Sequence, residues 1–400
     1  MMMTALNALL LAATLLLLVP ALMLWLEVLW APRPRSAQAA TDLTTARARV
    51  AVLMPAHDEA AGIAAAIGLV MPQLRSGDRL LVVADNCSDD TALIARAAGA
   101  SVVERTDLSR RGKGYALDHG VRSLAADPPE VLVVLDSDCA LQPGALDALA
   151  RECTQRQRPV QALYLMHSPP LAGLGTRMAE FAWVLKNRVR PSGLKRLGLP
   201  CQLMGTGMAF TWDCIRDAPL ATGHLVEDLQ LGLDLAVAGT PPVFCPEACV
   251  TSVFPTHADG ASAQRKRWEH GHLAVIASVG PRLLWKALRQ GRADLLAMAI
   301  DLCVPPLAML MLLMIAALGG AFVLAIGGGS TVPLQLAGLA FVLLLMAVAL
   351  AWHRFGRALV SASELLRAPL YVLAKVPMYL GLLTKRQTEW VRTRRDDKPH

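Results

Sequence analysis

Asp136 and Asp138 are separated by a single residue, directly after the apolar run EVLVVL at 130–135. Two carboxylates this close repel each other unless positive charge lies between them. A divalent cation with several oxygen ligands removes that repulsion and can also bind a diphosphate. Aspartate is common in turns as well, so a polar turn after a strand explains the same pair. The pair alone is therefore weak evidence for a cation site.

Polar residues also follow two earlier apolar runs. His57, Asp58 and Glu59 come after RVAVLM at 49–54, and Asp85 ends RLLVVA at 79–84. In a parallel sheet, ligands bind outside the carboxyl ends of the strands. Three separate strand ends that carry carboxylates therefore predict one ligand site at this edge.

Glu227 and Asp228 begin a segment whose apolar residues have helical spacing, HLVEDLQLGLDLAVAG. Acids at the start of a helix are explained by capping and by a favourable interaction with the helix dipole. The functional interpretation is a general base that removes a proton from an attacking hydroxyl. Both interpretations fit the position equally well.

The segment QRKRW at 264–268 combines an amide, three cations and an indole within about one helical turn. Basic and aromatic residues of this kind are typical of a membrane surface. They also suit a binding wall, where Trp268 stacks on a sugar and Arg267 neutralises a phosphate.

The elements that must position these residues follow an α/β pattern. An apolar strand, a polar loop and a helix recur three times between residues 49 and 138. The strands are near-continuous apolar runs, as expected for a mostly parallel sheet that is buried on both faces. No GxGxxG follows the first strand, and Gly112-Lys113 lacks the Ser or Thr of a phosphate-binding loop. A nucleotide must therefore be held in another way.

Apolar segments flank this domain. Residues 4–30 are long enough to cross a bilayer, and no basic residue precedes them, which favours a retained anchor over a cleaved signal peptide. Residues 302–324 and 332–352 are two more candidate spans, joined by an uncharged turn that we expect outside. Asp301 is interpreted as a polar residue at the interface. Basic residues beside the spans predict three crossings with the catalytic body and the tail in the cytoplasm.

The net charge of +7 does not indicate a nucleic-acid partner, because much of the basic excess lies beside the apolar segments. Membrane lipids are the expected partners of these residues. The eight cysteines lack the paired spacing of a zinc site and fit a reduced, cytoplasmic protein.

Together the motifs resemble the membrane-bound branch of family 2 glycosyltransferases, which includes cellulose, chitin and hyaluronan synthases and ceramide glucosyltransferase. The order is PAHDEA, VADNCSDDT, GKGYAL, DSD, GTGMAF, ED and QRKRW. The resemblance implies a GT-A, Rossmann-like fold and a nucleotide-sugar donor. The sequence departs from the family at Ala84-Asp85, where two acids are common, and at His57-Asp58-Glu59, where Tyr-Asn-Glu is common.

The resemblance also implies roles for individual residues. Asp228 would be the catalytic base with Glu227 beside it, Asp85 would contact a uracil-type base, and Asp136 and Asp138 would hold Mg²⁺ or Mn²⁺. The implied nucleotide-sugar-binding residues are Asp58, Glu59, Asp85, Lys113, Asp136, Ser137, Asp138, Gly205, Gln264, Arg267 and Trp268.

The expected activity is inverting transfer of a sugar from a nucleotide-sugar, of the UDP class, to a lipid-linked or glycan acceptor at the cytoplasmic membrane face. Exopolysaccharide or glycolipid synthesis is the expected setting. A processive polysaccharide synthase is one alternative, and a non-catalytic nucleotide-binding membrane protein is another. The expected domains are an anchor at 1–31, a catalytic domain at 48–275, an amphipathic interface helix at 276–300, two spans at 301–355, and an interfacial helix with a basic tail at 356–400.

Overall fold

The computed structural model of the protein describes residues 1–33, 47–224, 226–255 and 258–384. The basic part of the tail expected at 356–400, after residue 384, lies outside the described residues. The chain forms two compact units. One contains Met1–Pro34, Ala172–Leu199 and His272–Gln387, and the other contains Arg35–Leu171 and Pro200–Gly271.

The second unit is built on an eight-stranded sheet with the strand order β3-β2-β1-β4-β7-β6-β8-β5. Pairs β1–β2, β1–β4, β2–β3 and β6–β8 are parallel, whereas β7 is antiparallel to β4 and β6, and β5 to β8. The strands are β1 Val50–Ala56, β2 Arg79–Asp85, β3 Ser101–Arg105, β4 Val131–Val134, β5 Ala140–Leu141, β6 Val160–His167, β7 Met208–Thr211 and β8 Val243–Val253.

Helices make up most of the remaining described chain, together with a 3₁₀ turn at Met71–Gln73 and π-helical turns at Leu185–Val189 and Trp352–Gly356. The helices are α1 Met2–Trp30, α2 Ile63–Val70, α3 Thr91–Ala97, α4 Lys113–Leu124, α5 Ala145–Arg156, α6 Leu174–Val184, α7 Arg190–Arg196, α8 Trp212–Ile215, α9 Glu227–Val237, α10 Ala258–Ser278, α11 Gly280–Gln290, α12 Ala293–Leu302, α13 Leu307–Ile326, α14 Val332–Ala351, α15 Ala362–Leu365, α16 Ala368–Leu373 and α17 Val376–Thr384.

The central strands of the sheet are buried, which explains their apolar composition. All four residues of β4 are buried, and the first five of β1 are less than 2% exposed. Helices α4 and α9 contribute Leu117 and Leu231 to the same core cluster, which includes Phe210 of β7. Both helices therefore begin at defined positions relative to the carboxyl ends of β1 and β4.

In the first unit, α1, α13 and α14 with its π-helical extension are long and apolar enough to cross a membrane. Helices α1 and α14 run in the same direction. The backbone N–H of Ser330, before α14, donates to Asn7 Oδ1 at 2.9 Å, and Arg354, after α14, donates to Val28 O at 3.2 Å. The two helices are therefore aligned at both ends.

A buried ion cluster links three segments of this unit. Arg190 Nε donates to Glu27 Oε2 at 2.7 Å, and Arg190 Nη2 donates to the backbone oxygen of Asp301 at 2.9 Å and to its carboxylate. Asp301 is 4% exposed. Local sequence patterns do not reveal this pairing, because the three residues are more than 100 positions apart.

Candidate active site

A cavity of about 340 Å³ opens at the carboxyl ends of β1, β2 and β4. The acids that the sequence placed at three strand ends line this one cavity, as expected for a parallel sheet. The start of α4 and one residue of α10 complete the wall. Among the lining residues are His57, Asp58, Glu59, Asp85, Asn86, Arg111, Gly112, Lys113, Asp136, Ser137, Asp138 and Arg267.

Asp85 is 6% exposed and forms an ion pair with Arg105, with Oδ1 and Nη1 2.6 Å apart. The two residues are register partners on the adjacent parallel strands β2 and β3. His57 Nδ1 lies 2.7 Å from the backbone oxygen of Asp85. Sequence reasoning missed Arg105, although a basic residue at the end of a strand, directly after Glu104, was a usable signal.

The loops after β1 and β2 are tied to each other. Asp58 has a left-handed backbone with φ 52°, and its Oδ1 accepts a hydrogen bond from Ser88 N at 2.6 Å. The backbone N–H of Glu59 donates to the Thr91 hydroxyl at 2.7 Å. The Asp58 carboxylate therefore holds the loop after β2 in place, in addition to lining the cavity.

The carboxylates of Asp136 and Asp138 and the thiol of Cys139 can place ligand atoms within 4.8 Å of one another. Two carboxylates suit a hard divalent cation such as Mg²⁺ or Mn²⁺. Burial raises the pKa of the Cys139 thiol well above its usual value, so it stays protonated near neutral pH. The donor set therefore fits a cation held by the two aspartates. Asp58, Cys87 and Asp89 form a second grouping of this kind, but Asp89 accepts backbone N–H bonds from Ala60 and Thr91.

Lys113, the first residue of α4, connects the two groups of acids. Its ammonium pairs with Asp136 and donates to the backbone oxygen of Gly205 at 2.6 Å. Burial alone would lower the pKa of Lys113, but the carboxylates of Asp136, Glu227 and Asp228 raise it above its usual value. Lys113 is therefore a permanent cation between the D-x-D and the Glu227–Asp228 pair.

Glu227 and Asp228 form the first turn of α9 and face this lysine. Burial and the neighbouring Asp228 raise the pKa of Glu227 to about 7, although Lys113 acts in the opposite direction. Asp228 Oδ2 lies only 3.3 Å from the point where a side chain on Gly205 would begin. Val226, the N-cap residue, makes no side-chain cap on α9. The two acids lie in the first turn of this helix, where negative charge interacts favourably with the helix dipole.

The loop before β7 is positioned by a residue that sequence reasoning passed over. Gln161 of β6 is fully buried, accepts from Met204 N at 2.7 Å and donates to Thr206 O at 2.9 Å. The Thr206 hydroxyl accepts from the backbone N–H of Asp136 at 3.0 Å. Gln161 thus fixes the GTG turn, with Gly205 at φ 90°, against the D-x-D. A single glutamine in an apolar strand gave no signal by itself.

The QRKRW segment lies within α10. Arg267 lines the cavity, whereas Gln264 and Trp268 are absent from its described lining. Of the residues predicted to bind the nucleotide-sugar, Gly205 also lies outside this lining but contacts Lys113 through its backbone oxygen. The structure thus brings the acids, Lys113, Gly205 and Arg267 close together. It leaves Gln264 and Trp268 as predictions.

Strand-end acids of this kind, gathered at one edge of a mixed sheet, suit a diphosphate bound through a divalent cation. The model of the glycosyltransferase like family 2 matches residues 47–271, more than half of the chain. The chain therefore belongs to glycosyltransferase family 2. The match does not identify the cellulose and chitin synthase branch.

Relatives share parts of this domain. An uncharacterized glycosyltransferase of Mycobacterium tuberculosis (strain ATCC 25618 / H37Rv) is 36% identical over 148 residues, which are 35% of this chain and 61% of that protein. Glucosyl-3-phosphoglycerate synthase of Mycolicibacterium paratuberculosis is 38% identical over 113 residues, 26% of this chain and 33% of that protein. The matches thus span less than two thirds of either relative.

A solved structure resembles nearly the whole chain. It is the mannosyltransferase PcManGT from Pyrobaculum calidifontis in complex with GDP-Man and Mn²⁺, with a TM-score of 0.53 and 20% sequence identity. The superposition covers 96% of this chain and 100% of that one. The fold is therefore GT-A, a Rossmann-like mixed sheet with helices, and the predicted fold class is confirmed.

Proposed function

We propose that this protein is an inverting glycosyltransferase that moves a sugar from a nucleotide-sugar, of the UDP class, to a lipid-linked or glycan acceptor. The observation that carries the proposal is the position of Lys113. It pairs with Asp136 on the cavity wall and interacts electrostatically with Glu227 and Asp228. The candidate cation ligands, Asp136 and Asp138, and the acid pair that includes the candidate catalytic base therefore lie around the same lysine.

The cavity suits the nucleotide end of the donor. A divalent cation bound by Asp136 and Asp138 would supply positive charge for the leaving diphosphate. Arg267, on the same wall, adds a guanidinium that can bind phosphate oxygens. Asp85 and its partner Arg105 lie where the uracil-type base of the donor is expected.

The acid pair suits the acceptor. Asp228 accepts the proton of the acceptor hydroxyl as that oxygen attacks the anomeric carbon, and the bond to the diphosphate breaks. Attack on the face opposite the leaving group inverts the anomeric configuration. Lys113 holds the neighbouring carboxylates in place, and fixed alignment of both partners is a large part of such catalysis.

The three apolar helices support a membrane setting, with the catalytic unit in the cytoplasm and an acceptor held at the membrane face. Exopolysaccharide or glycolipid synthesis fits such an acceptor. A processive synthase is the alternative within the same class. Purified membranes and a radiolabelled donor distinguish the two, because a single transfer adds one sugar and a synthase makes a ladder of products.

A non-catalytic nucleotide-binding membrane protein is the alternative from another class. It would bind donors without releasing nucleotide. A panel of UDP- and GDP-sugars, with nucleotide release and donor binding measured separately, decides between the two classes. We expect release from one UDP-sugar.

The decisive variant is Asp228→Asn. The amide keeps the shape of the side chain but cannot accept a proton, so we expect donor binding to be kept and transfer to fall by about 10²–10⁴-fold. Equilibrium donor binding and product formation are the two measurements.

Asp213→Asn is the matched control, because Asp213 lies on α8 and pairs with Arg216 on the protein surface. This variant should transfer sugar at the wild-type rate. Normal transfer by Asp228→Asn would remove the base assignment. Binding without release by the wild-type protein, for every donor, would favour the non-catalytic alternative.

A further inference from the structure

Three arginines surround a second cavity, in the unit that contains α1 and α14. The cavity has a volume of about 390 Å³. Arg33 follows α1, Arg196 ends α7, and Arg354 lies in the π-helical turn after α14. The rest of the wall is formed by the last two residues of α1 and the two that follow it: Leu29, Trp30, Ala31 and Pro32.

These cations are not balanced by acids. Within the described chain, no carboxylate forms an ion pair with Arg33, Arg196 or Arg354. Other arginines of the same unit do have such partners, as Arg190 has with Glu27 and Arg177 with Glu364. Three like charges around one cavity repel each other. An anion in the cavity would offset that repulsion.

Arg354 is held in position without using all of its donors. Its Nη1 lies 3.2, 3.3 and 3.4 Å from the backbone oxygens of Val28, Leu29 and Ala31. The carbonyls of Val28 and Leu29 belong to the last turn of α1 and that of Ala31 follows it, so none of the three has a partner within the helix. A guanidinium carries five N–H donors, so the remaining face can bind phosphate oxygens.

The cavity lies at a defined depth along the helices. Helix α14 has 20 residues, about 30 Å of helix, which matches the hydrocarbon core of a bilayer. Because α1 and α14 are parallel and aligned, the arginine cavity lies one bilayer thickness from the Asn7–Ser330 end. Trp30 on its wall is 44% exposed, and partly exposed tryptophans are typical of the membrane–water boundary.

We propose that this cavity binds the phosphate head group of an anionic membrane phospholipid. The three guanidinium groups bind the phosphate, and Leu29, Trp30 and Pro32 contact the glycerol and the first acyl carbons. The proposal depends on the membrane setting of the proposed function but not on sugar transfer. It adds a lipid site distinct from the donor cavity.

The test uses the full chain in neutral phosphatidylcholine nanodiscs, with phosphatidylglycerol added stepwise. Wild-type protein should unfold at a higher temperature as phosphatidylglycerol increases, because a ligand that binds only the folded state stabilises it. Each surface arginine contributes about 1 kcal/mol to anionic lipid binding, so Arg196→Gln should need about fivefold more phosphatidylglycerol for the same effect. Arg196 is chosen because it is exposed and makes no described hydrogen bond.

Arg289→Gln is the matched control, an exposed arginine of α11 in the same unit but outside the cavity lining. It should respond to lipid as the wild type does. Glycerol phosphate, which offers the head group without acyl chains, should have no effect. Equal titrations for Arg196→Gln and wild type, or equal stabilisation by glycerol phosphate, would overturn the proposal. Donor binding by Arg196→Gln separates this outcome from a failure of the transferase proposal.

Discussion

Lys113 offsets part of the negative charge of the candidate active site. Without it, the carboxylates of Asp136, Glu227 and Asp228 would repel one another in a partly buried space. With it, Glu227 still has a pKa of about 7, because burial and Asp228 outweigh the lysine. The acid pair therefore gains or loses a proton close to physiological pH.

Transfer should rise with pH through about 7 in the wild-type protein. Below that pH, Glu227 is protonated; above it, Glu227 carries a negative charge that assists removal of the acceptor proton at this acid pair. Glu227→Gln should lower the plateau and abolish the inflection. The measurement is kcat/KM from about pH 5.5 to 8.5 at saturating Mn²⁺.

Folding stability should respond in the opposite direction. The folded protein binds the Glu227 proton more tightly than the unfolded chain does, so ionising it costs stability as pH rises from 4.5 through about 7.

The control for the rate prediction is the pH profile of kcat/KM in Glu227→Gln. If that profile kept its inflection at the wild-type pH, a group other than Glu227 would control the rate.

Residue types were predictable where the chemistry requires them. The acids at three strand ends were found from sequence because parallel strands bring their carboxyl ends together. Arg105 and Gln161 were missed because their roles depend on neighbours 20 and 43 or more positions away. Such pairings follow from strand order, which local patterns do not encode.

Two helices of the first unit approach so closely that only glycine fits. A Cβ on Gly193 of α7 would lie 2.0 Å from the backbone oxygen of Glu27 in α1. A backbone atom cannot move aside as a flexible side chain can. Gly193 therefore sets the spacing of α7 from α1, and with it the position of the neighbouring Arg190.

Gly193→Ala should destabilise the protein by about 1–3 kcal/mol, the usual cost of overpacking a well-packed contact. The measurement is the thermal unfolding midpoint in detergent. Gly175→Ala in α6 is the matched control, because a Cβ there meets nothing within 4 Å. Equal midpoints for the two variants would show that α7 can shift without cost.

Across the whole molecule, the division into a sheet domain and apolar helices was readable from composition. The antiparallel insertion of β7 between β4 and β6 was not, because an apolar run does not reveal its direction. The second apolar span was expected at 302–324, but α13 begins at Leu307, after Pro305 and Pro306. Both prolines lack a donor and favour a break at that point.

The expected topology can be tested by cysteine labelling in intact cells. Ser330→Cys, in the exposed connection between α13 and α14, should react with a membrane-impermeant maleimide from outside. Ser123→Cys, exposed on α4, should react only after lysis. The wild-type chain gives the background from its native cysteines, and labelling of Ser123→Cys before lysis would contradict the cytoplasmic placement.

The Glu27–Arg190–Asp301 cluster has a consequence for biosynthesis. Glu27 leaves the ribosome 163 residues before Arg190, and Arg190 precedes Asp301 by 111. At about 5–20 residues per second, the nascent first helix waits roughly ten to thirty seconds for its cation. During that interval its lone acid must stay hydrated, so the final seating of α1 follows translation of Asp301, about three quarters of the way along the chain.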